Sequence, residues 1–119
     1  MAMTVVIVDD HSGFRRMARR MLEDAGFDVV GEAADGETAL PLVALLGPQV
    51  VLLDVQLPGI DGFMVAQRLA DSGSGAIVIL TSSRSAADFG SRLERAPAIG
   101  FIAKAELAGP AVARLTGAA

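Results

Sequence analysis

The sequence of 119 residues contains no cysteine, no tryptophan and no tyrosine, and only one of its ten basic residues, Lys104, is a lysine. The absence of cysteine excludes disulfides and cysteine-ligated zinc sites, and it is typical of a reducing compartment. Long hydrophobic runs are also missing. The mean hydropathy is +0.50, yet no apolar run approaches the roughly 20 residues that a membrane-spanning helix requires. The first residues show no secretory signal. We therefore expect a cytoplasmic protein that does not enter the membrane.

Positive charge is also scarce, because 14 acidic residues oppose 10 basic ones and give a formal net charge of −4. Affinity for nucleic acid comes chiefly from clustered lysine and arginine, so this charge balance argues against direct nucleic-acid binding. The length is sufficient for one hydrophobic core and leaves no room for a second. We expect a single domain spanning residues 1–119.

Five short runs rich in valine, isoleucine and leucine recur along the chain, with room for one helix between successive runs. Three of the runs are continuously apolar, as are strands that helices cover on both faces of a parallel sheet. The predicted strands are 4–8, 28–33, 49–53, 76–80 and 98–103. The sequence therefore predicts an open α/β sheet, since a closed eight-stranded barrel needs about twice this length.

The segments between the runs have helical periodicity. In the first segment, apolar residues from Phe14 to Ala25 follow the spacing of one helix face, with Ser12 as the expected N-cap and Gly26 as the stop. The other helices are predicted at 36–46, 62–71, 86–96 and 109–116. Gly90 weakens the fourth of these helices, and Pro110 suits the first turn of the last.

Polar residues follow four of the five predicted strands. The first strand is followed by Asp9 and Asp10, the third by Asp54, the fourth by Thr81 and the fifth by Lys104. Ligands of open parallel sheets bind beyond the carboxyl ends of the strands, so these residues are the candidates for a functional site. Carboxylates about 5 Å apart repel by roughly 3 kcal/mol per pair, and Mg²⁺ with its preference for oxygen ligands removes that cost.

Asp54 is the candidate nucleophile, because it stands alone at the end of its strand and precedes a turn rich in turn-forming residues, from Val55 to Gly59. A carboxylate beside a metal ion and a lysine can attack phosphorus. Thr81 and Lys104 would then contact the phosphoryl oxygens, the lysine as a compact cation.

These residues resemble the receiver domain of two-component response regulators, and the resemblance covers essentially the whole chain. The matching stretches are VVIVDDHSGFRRMARRMLEDAGFDVVGEAADGETAL, PQVVLLDVQLPGIDGF, AIVILTSS and IGFIAK. No single stretch would suffice, but the four in this order form a specific combination. The resemblance implies a flavodoxin-like fold, with five parallel strands in the order 2-1-3-4-5 and five flanking helices.

The resemblance further implies that Asp54 accepts a phosphoryl group from a sensor histidine kinase or a histidine phosphotransfer protein. By the same resemblance, Mg²⁺ is held by Asp9, Asp10, Asp54 and the backbone carbonyl of Gln56. Thr81 and Lys104 bind the phosphoryl group.

The resemblance also implies a switch, in which Thr81 and Phe101 respond to phosphorylation. The last two strand–helix units would then engage a downstream protein or a second copy of the chain. We expect no enzymatic activity beyond the protein's own phosphorylation and dephosphorylation.

Two positions depart from the family pattern. Many relatives have tyrosine where this chain has Phe101, so only a packing version of the switch is available. Most relatives follow the lysine with a cis proline, whereas Ala105 stands here. A cis bond before a residue other than proline costs about 2.5–4 kcal/mol, so we expect a trans peptide.

Two other functions remain open at this point. One is a degenerate receiver that acts as an unphosphorylated interaction module. The other is a phosphatase of the haloacid dehalogenase type, which needs a second aspartate two residues after the nucleophile, where this chain has Gln56. The sequence does not distinguish a protein that stands alone from the first part of a longer regulator.

Two features beside the expected site admit simpler explanations. His11 follows the acidic pair, and we expect a partly exposed loop imidazole without a catalytic role. The first helix carries a basic stripe of Arg15, Arg16, Arg19 and Arg20, which is either a solvated face or a docking surface for an acidic partner. In the docking hypothesis, charge reversal at Arg16 and Arg19 slows phosphotransfer.

Overall fold

The computed structural model describes residues 2–118, so Met1 and Ala119, the ends of the predicted domain, lie outside the described residues. Strands and helices alternate along the chain. The strands are β1 (Thr4–Val8), β2 (Asp28–Ala33), β3 (Val50–Asp54), β4 (Ile77–Ser82) and β5 (Gly100–Ala103). The helices are α1 (Ser12–Asp24), α2 (Gly36–Leu46), α3 (Gly62–Asp71), α4 (Ser91–Arg95) and α5 (Gly109–Thr116), with single 3₁₀ turns at Ala86–Asp88 and Lys104–Glu106.

All five strands are parallel, and their order across the sheet is β2-β1-β3-β4-β5. This confirms the predicted fold class and strand order. In the β3–β4 pairing, Asp54 lies beside Thr81. Because all the strands run the same way, the polar residues at their carboxyl ends lie along one edge of the sheet.

Helices cover both faces of the sheet, which explains why the central strands are continuously apolar. On one face, Val51 and Leu53 belong to a buried cluster with residues of α2 and α3. On the other, Val50 and Leu52 pack with residues of α1 and α5. All five residues of β3 are buried, so Asp54 lies at the end of a strand that is inaccessible to solvent on both faces.

The helix starts reflect local hydrogen bonds. Asp35 and Asp61 cap α2 and α3, and their carboxylates accept from Thr38 N at 2.8 Å and Met64 N at 2.9 Å. The bond from the Thr38 backbone lowers the pKa of Asp35. The predicted N-cap at Ser12 is wrong, because His11 caps α1. The backbone N–H of His11 donates to Asp9 Oδ1 at 2.8 Å. The helix α1 therefore begins one residue earlier than predicted, at Ser12.

The fourth predicted helix, 86–96, is interrupted. Gly90 adopts φ +56°, a left-handed conformation that no α-helix contains, so the segment forms a 3₁₀ turn and then the five residues of α4. The strand limits also shift, since β4 extends to Ser82 and includes Thr81, whereas β5 begins only at Gly100. A turn in which Ala98 N donates to Ala96 O at 2.8 Å precedes β5.

The Lys104–Ala105 peptide is trans, as predicted, like every other peptide bond in residues 2–118. Within the same residues, no helix combines the length and the apolar character needed to cross a membrane.

Candidate functional site

The carboxyl ends of β1 and β3 bring three carboxylates together. Asp9 and Asp10 follow β1, and Asp54 ends the neighbouring β3. Asp9 is fully buried and Asp54 is 2% exposed, whereas the side chain of Asp10 is 36% exposed. One oxygen from each of the three carboxylates and one ring nitrogen of His11 all lie within 4.8 Å of one another. This is the cluster that the strand ends predicted, with His11 added.

Lys104 reaches the carboxylates from the end of β5. Its Nζ lies 2.7 Å from Asp9 Oδ2 and 3.4 Å from Asp54 Oδ2, and its side chain is 17% exposed. The ammonium group thus lies between the two buried carboxylates. It balances only one of their negative charges, and Asp10 adds a third.

The donor set fits a hard divalent cation. Although Lys104 Nζ forms a close ion pair with Asp9 Oδ2, its direction of approach is not that of a hydrogen bond, and this buried oxygen accepts none. Oxygen ligands from several carboxylates are the set that Mg²⁺ binds in proteins. Three carboxylates face one ammonium group, and this excess of negative charge favours a further cation.

Burial raises the pKa of Asp54 to about 6, and the neighbouring charge of Asp9 adds to the effect. Lys104 and the hydrogen bond from Gln56 N, 3.2 Å from Asp54 Oδ1, oppose this shift and only partly offset it. The site therefore favours the protonated form of Asp54 over the charged form, relative to a carboxyl group in water. A cation bound nearby would stabilise the charged form of Asp54.

The loop after Asp54 is fixed to two neighbouring segments. Val55 N donates to Thr81 O at 2.9 Å, and Gly62 N donates to Val55 O at 2.8 Å. A Cβ atom at position 62 would collide with the backbone carbonyl of Asp54. Sequence reasoning missed this role of Gly62, for which the only signal was the Asp61-Gly62 pair after the turn.

Thr81 lies beside Asp54, but its hydroxyl does not face the carboxylates. It is fully buried and donates to the carbonyl oxygen of Ile102 on β5 at 2.7 Å. The predicted contact with phosphoryl oxygens therefore requires this hydroxyl to leave Ile102 and turn towards Asp54. The structure places the residue as predicted and gives its hydroxyl a different partner.

Phe101, the other predicted switch residue, is half-buried on β5, where it pairs with Leu80 in the sheet. Its ring lies edge-on to that of Phe89, with 6.1 Å between ring centroids, and Phe89 in turn contacts Phe63 at 5.7 Å. The residue after Phe101 is Ile102, the acceptor of the Thr81 hydroxyl. The two switch candidates are thus linked through β5.

His11 has the exposed side chain that the sequence predicted, with 70% of its surface accessible. Its Nδ1 nevertheless lies 3.1 Å from Asp10 Oδ1 and 3.3 Å from Asp9 Oδ1. The imidazole therefore borders the carboxylate cluster at its solvent side.

The basic stripe of α1 divides into two pairs. Arg15 and Arg19 bind Glu32 of β2 through Nε atoms at 3.1 Å and 2.8 Å. Burial raises the pKa of Glu32, but the two arginines outweigh this effect and hold the pKa below its usual value. Arg16 and Arg20 are exposed. Arg19 is thus engaged by Glu32, and docking of an acidic partner on the stripe stays a prediction.

A second residue that sequence reasoning missed is Phe14. Its ring lies 4.2 Å, centroid to Nζ, from the ammonium group of Lys104. Helical periodicity identified Phe14 only as a core-facing residue of α1. No sequence signal places it beside a lysine that lies 90 positions further along the chain.

Comparisons with known proteins agree with the fold. Response regulator GacA of Pseudomonas aeruginosa is 40% identical over 101 residues, which are 84% of this chain and 47% of GacA. A protein-glutamate methylesterase/protein-glutamine glutaminase of Myxococcus xanthus is 44% identical over 80 residues, 66% of this chain and 23% of that protein. The chain thus spans about half or less of the length of these curated relatives.

Among solved structures, the signal receiver domain of NarL from Mycobacterium tuberculosis superposes with a TM-score of 0.86 at 32% identity, covering 98% of each chain. The family model of the response regulator receiver domain matches residues 5–114. The match begins in β1 and ends in α5, so it includes every strand and the whole carboxylate cluster. The chain belongs to the response regulator receiver domain family.

Proposed function

We propose that Asp54 accepts a phosphoryl group from the phosphohistidine of a sensor histidine kinase or a histidine phosphotransfer protein. One observation carries the proposal. Asp54 is a buried carboxylate with a pKa raised to about 6, and its charged neighbours are Asp9 and the ammonium group of Lys104, which lies 3.4 Å from Asp54 Oδ2. Carboxylates with a perturbed pKa cluster at functional sites, and a carboxylate beside a metal ion and a lysine can attack phosphorus.

Asp9, Asp10, Asp54 and the backbone carbonyl of Gln56 are the groups that would hold Mg²⁺. The ion supplies positive charge that keeps the carboxylates ionised and offsets the charge of the phosphoryl oxygens. An oxygen of Asp54 attacks phosphorus, and the bond from phosphorus to the histidine nitrogen of the donor breaks. Lys104 Nζ, 3.4 Å from Asp54 Oδ2, follows the added negative charge onto a phosphoryl oxygen.

The hydroxyl of Thr81 supports a switch that is coupled to this reaction. A phosphoryl oxygen on Asp54 offers the hydroxyl a charged acceptor in place of the neutral carbonyl of Ile102, and bonds to charged acceptors are stronger. Release of Ile102 loosens β5 beside Phe101. The change would be transmitted to the last two strand–helix units, which we propose bind a downstream protein or a second copy of the chain.

The curated relatives extend beyond the region that matches this chain. A regulatory role for the whole protein is therefore part of the proposal as well. Enzymatic activity of the methylesterase kind is a property named for that relative. For this chain, we propose a signalling role that involves only its own phosphorylation and dephosphorylation. The cytoplasmic location and the binding of Mg²⁺ likewise remain predictions.

The test uses beryllofluoride, a phosphoryl mimic, together with Mg²⁺. Backbone amide NMR signals of the residues around Asp54 should shift at saturation, and Asp54→Asn should abolish the shifts because a neutral amide replaces the carboxylate that coordinates beryllium. Asp28→Asn, a change of an exposed carboxyl at the start of β2, is the matched control and should respond like the unmodified protein. Identical spectra with and without beryllofluoride would favour the alternative function of an unphosphorylated interaction module.

A further inference from the structure

The ring of Phe14 contacts the ammonium group of Lys104, the lysine of the proposed site. Lys104 Nζ lies 4.2 Å from the ring centroid, within the range of a cation–π contact. We propose that Phe14 is a positioning residue for Lys104, which directs the ammonium group to Asp54. The inference rests on the proposed function, because the purpose of the positioned ammonium group is to bind the phosphoryl group.

The backbone alone does not fix the position of the Lys104 ammonium group. Lys104 follows the end of β5 and begins a short 3₁₀ turn, and its side chain has four rotatable bonds. Ordering such a chain costs rotamer entropy. Asp9 at 2.7 Å and Asp54 at 3.4 Å attract the ammonium group. The ring of Phe14 contacts the same ammonium group, and 17% of the Lys104 side chain is exposed.

Phe14 is well placed for this role because it belongs to the segment that carries the carboxylates. Asp9 and Asp10 are followed directly by α1, in which Phe14 lies in the first turn. The backbone of this segment is held by two bonds, since His11 N donates to Asp9 Oδ1 and Arg15 Nη1 donates to Asp9 O. The ring and the carboxylates therefore keep a constant relative position.

An aromatic ring suits this position better than a charged or an aliphatic residue. A carboxylate at position 14 would bind Lys104 and compete with the phosphoryl group. An aliphatic side chain would exclude water but would not attract the cation. The face of the ring attracts an ammonium group without carrying a net charge. Lys104 can therefore move from Asp9 towards Asp54 while it stays in contact with the ring.

The composition of the chain provides a direct probe of this contact. Lys104 is the only lysine, so protein grown with labelled lysine gives the NMR signals of this one side chain. The ring of Phe14 should shift the Lys104 Hε signals upfield. Phe14→Leu, which keeps an apolar side chain but lacks the ring face, should remove this shift, and Phe14→Tyr should retain it. This measurement needs no phosphorylation, so it stands even if Asp54 accepts no phosphoryl group.

The second readout is the rate of phosphorylation by a small acyl phosphate in the presence of Mg²⁺. Phe14→Leu should lower the rate at saturating donor by about two- to fivefold, the size expected for one cation–π contact, and leave the donor concentration at half-maximal rate within about twofold. Phe14→Tyr should restore the rate. Phe27→Leu is the control for loss of aromatic volume, because Phe27 packs in the core at the α1–β2 junction, and it should leave the Lys104 signals unchanged.

Retention of the upfield Lys104 signals in Phe14→Leu would overturn the proposal. A loss of rate in Phe14→Leu that Phe14→Tyr does not rescue would also overturn it. If Phe14→Leu fails to fold, Phe14→Met replaces it, since methionine fills the same space with a flexible apolar chain and also lacks the ring face. In that case the proposal is overturned if Phe14→Met retains the upfield Lys104 signals, or if it lowers the rate and Phe14→Tyr does not restore it.

Discussion

At the scale of single residues, Asp54 shows the conflict between stability and function. Its carboxyl is buried beside Asp9, and both effects raise its pKa to about 6 from an ordinary value of 3.8. The folded protein therefore binds a proton at Asp54 more tightly than the unfolded chain does. The charge of Asp54 reduces stability at neutral pH, and the same property makes the group responsive to a cation.

Replacement of Asp54 by asparagine should stabilise the metal-free protein by about 2–3 kcal/mol at pH 7. The sign follows from the raised pKa. Protonation of Asp54 contributes to the free energy of unfolding of the unmodified protein. This contribution is fully present below about pH 4 and is lost as the pH rises through 6. Urea unfolding between pH 4 and pH 7.5 measures the difference between the two proteins, which should grow with pH. Asp28→Asn is the control, and a difference for Asp54→Asn that is constant over this range would contradict the prediction.

Gly62 is a second single residue that affects the site, because its missing side chain leaves room for the backbone carbonyl of Asp54. Gly62→Ala should destabilise the protein by about 1–3 kcal/mol, because a Cβ atom there collides with the carbonyl of Asp54. Gly13→Ala is the matched control in the first turn of α1. No atom lies within 4 Å of a Cβ at position 13, so this change should stabilise by a few tenths of a kcal/mol up to about 1 kcal/mol.

Thermal or urea unfolding of the two glycine variants measures both effects. The sign of the change should differ between them. A Gly62→Ala variant as stable as the unmodified protein would show that α3 moves away from Asp54 at little cost.

At the scale of secondary-structure elements, the weakest part of the fold is the segment 86–96. Neither the 3₁₀ turn nor α4 contains a fully buried residue, whereas α1 buries Ala18 and Leu22. Gly90 separates the two short helices. Phe89 is the main apolar anchor of the segment, since its ring contacts those of Phe63 and Phe101. The segment therefore lies next to the predicted switch and is only loosely attached to the core.

Backbone amides of residues 86–96 should exchange with deuterium about tenfold faster than the central amides of α1 (12–24). The reason is the small number of buried side chains that local opening must expose. Beryllofluoride and Mg²⁺ should change exchange in this segment more than in α1. Hydrogen exchange followed by NMR or mass spectrometry gives both comparisons, and equal protection of the two segments would contradict the first of them.

At the scale of the whole molecule, the exposed arginines lie on α1, the helix that begins directly after Asp9 and Asp10. Arg15 and Arg19 bind Glu32 and hold α1 against β2. Arg16 and Arg20 remain accessible, with half-exposed Met17 between them in sequence. A basic surface is complementary to an acidic partner and accelerates its association.

Charge reversal at Arg16 and Arg20 should slow phosphotransfer from a phosphorylated histidine kinase, and the loss should shrink as the salt concentration rises. Phosphorylation by a small acyl phosphate should not change, because this donor needs no docking surface. Kinetic measurements with the two donors at low and high salt test the prediction. Arg68→Glu, on the opposite side of the sheet in α3, is the control, and an equal loss in the control would show that net charge alone is responsible.

Much of this molecule could be predicted from the sequence because the relevant signals are local. The apolar runs and helical periodicity gave β1, β2, α2, α3 and α5 the limits that the structure has. Parallel strands place their carboxyl ends at one edge, so the strand ends were sufficient to bring Asp9, Asp10, Asp54 and Lys104 together. Two predictions were wrong, the N-cap at Ser12 and the continuous helix over residues 86–96, which is interrupted at Gly90. In both places a local pattern competes with other contacts.

The sequence by itself therefore determined the α/β class, the strand order through family resemblance, and the identity of the clustered residues. Only the tertiary structure decided where individual side chains point. The Thr81 hydroxyl binds Ile102, Lys104 lies against Phe14, and Arg19 is committed to Glu32. The physical reason is that these contacts join segments distant in the chain, and their geometry depends on how helices and strands pack rather than on the residues near each of them.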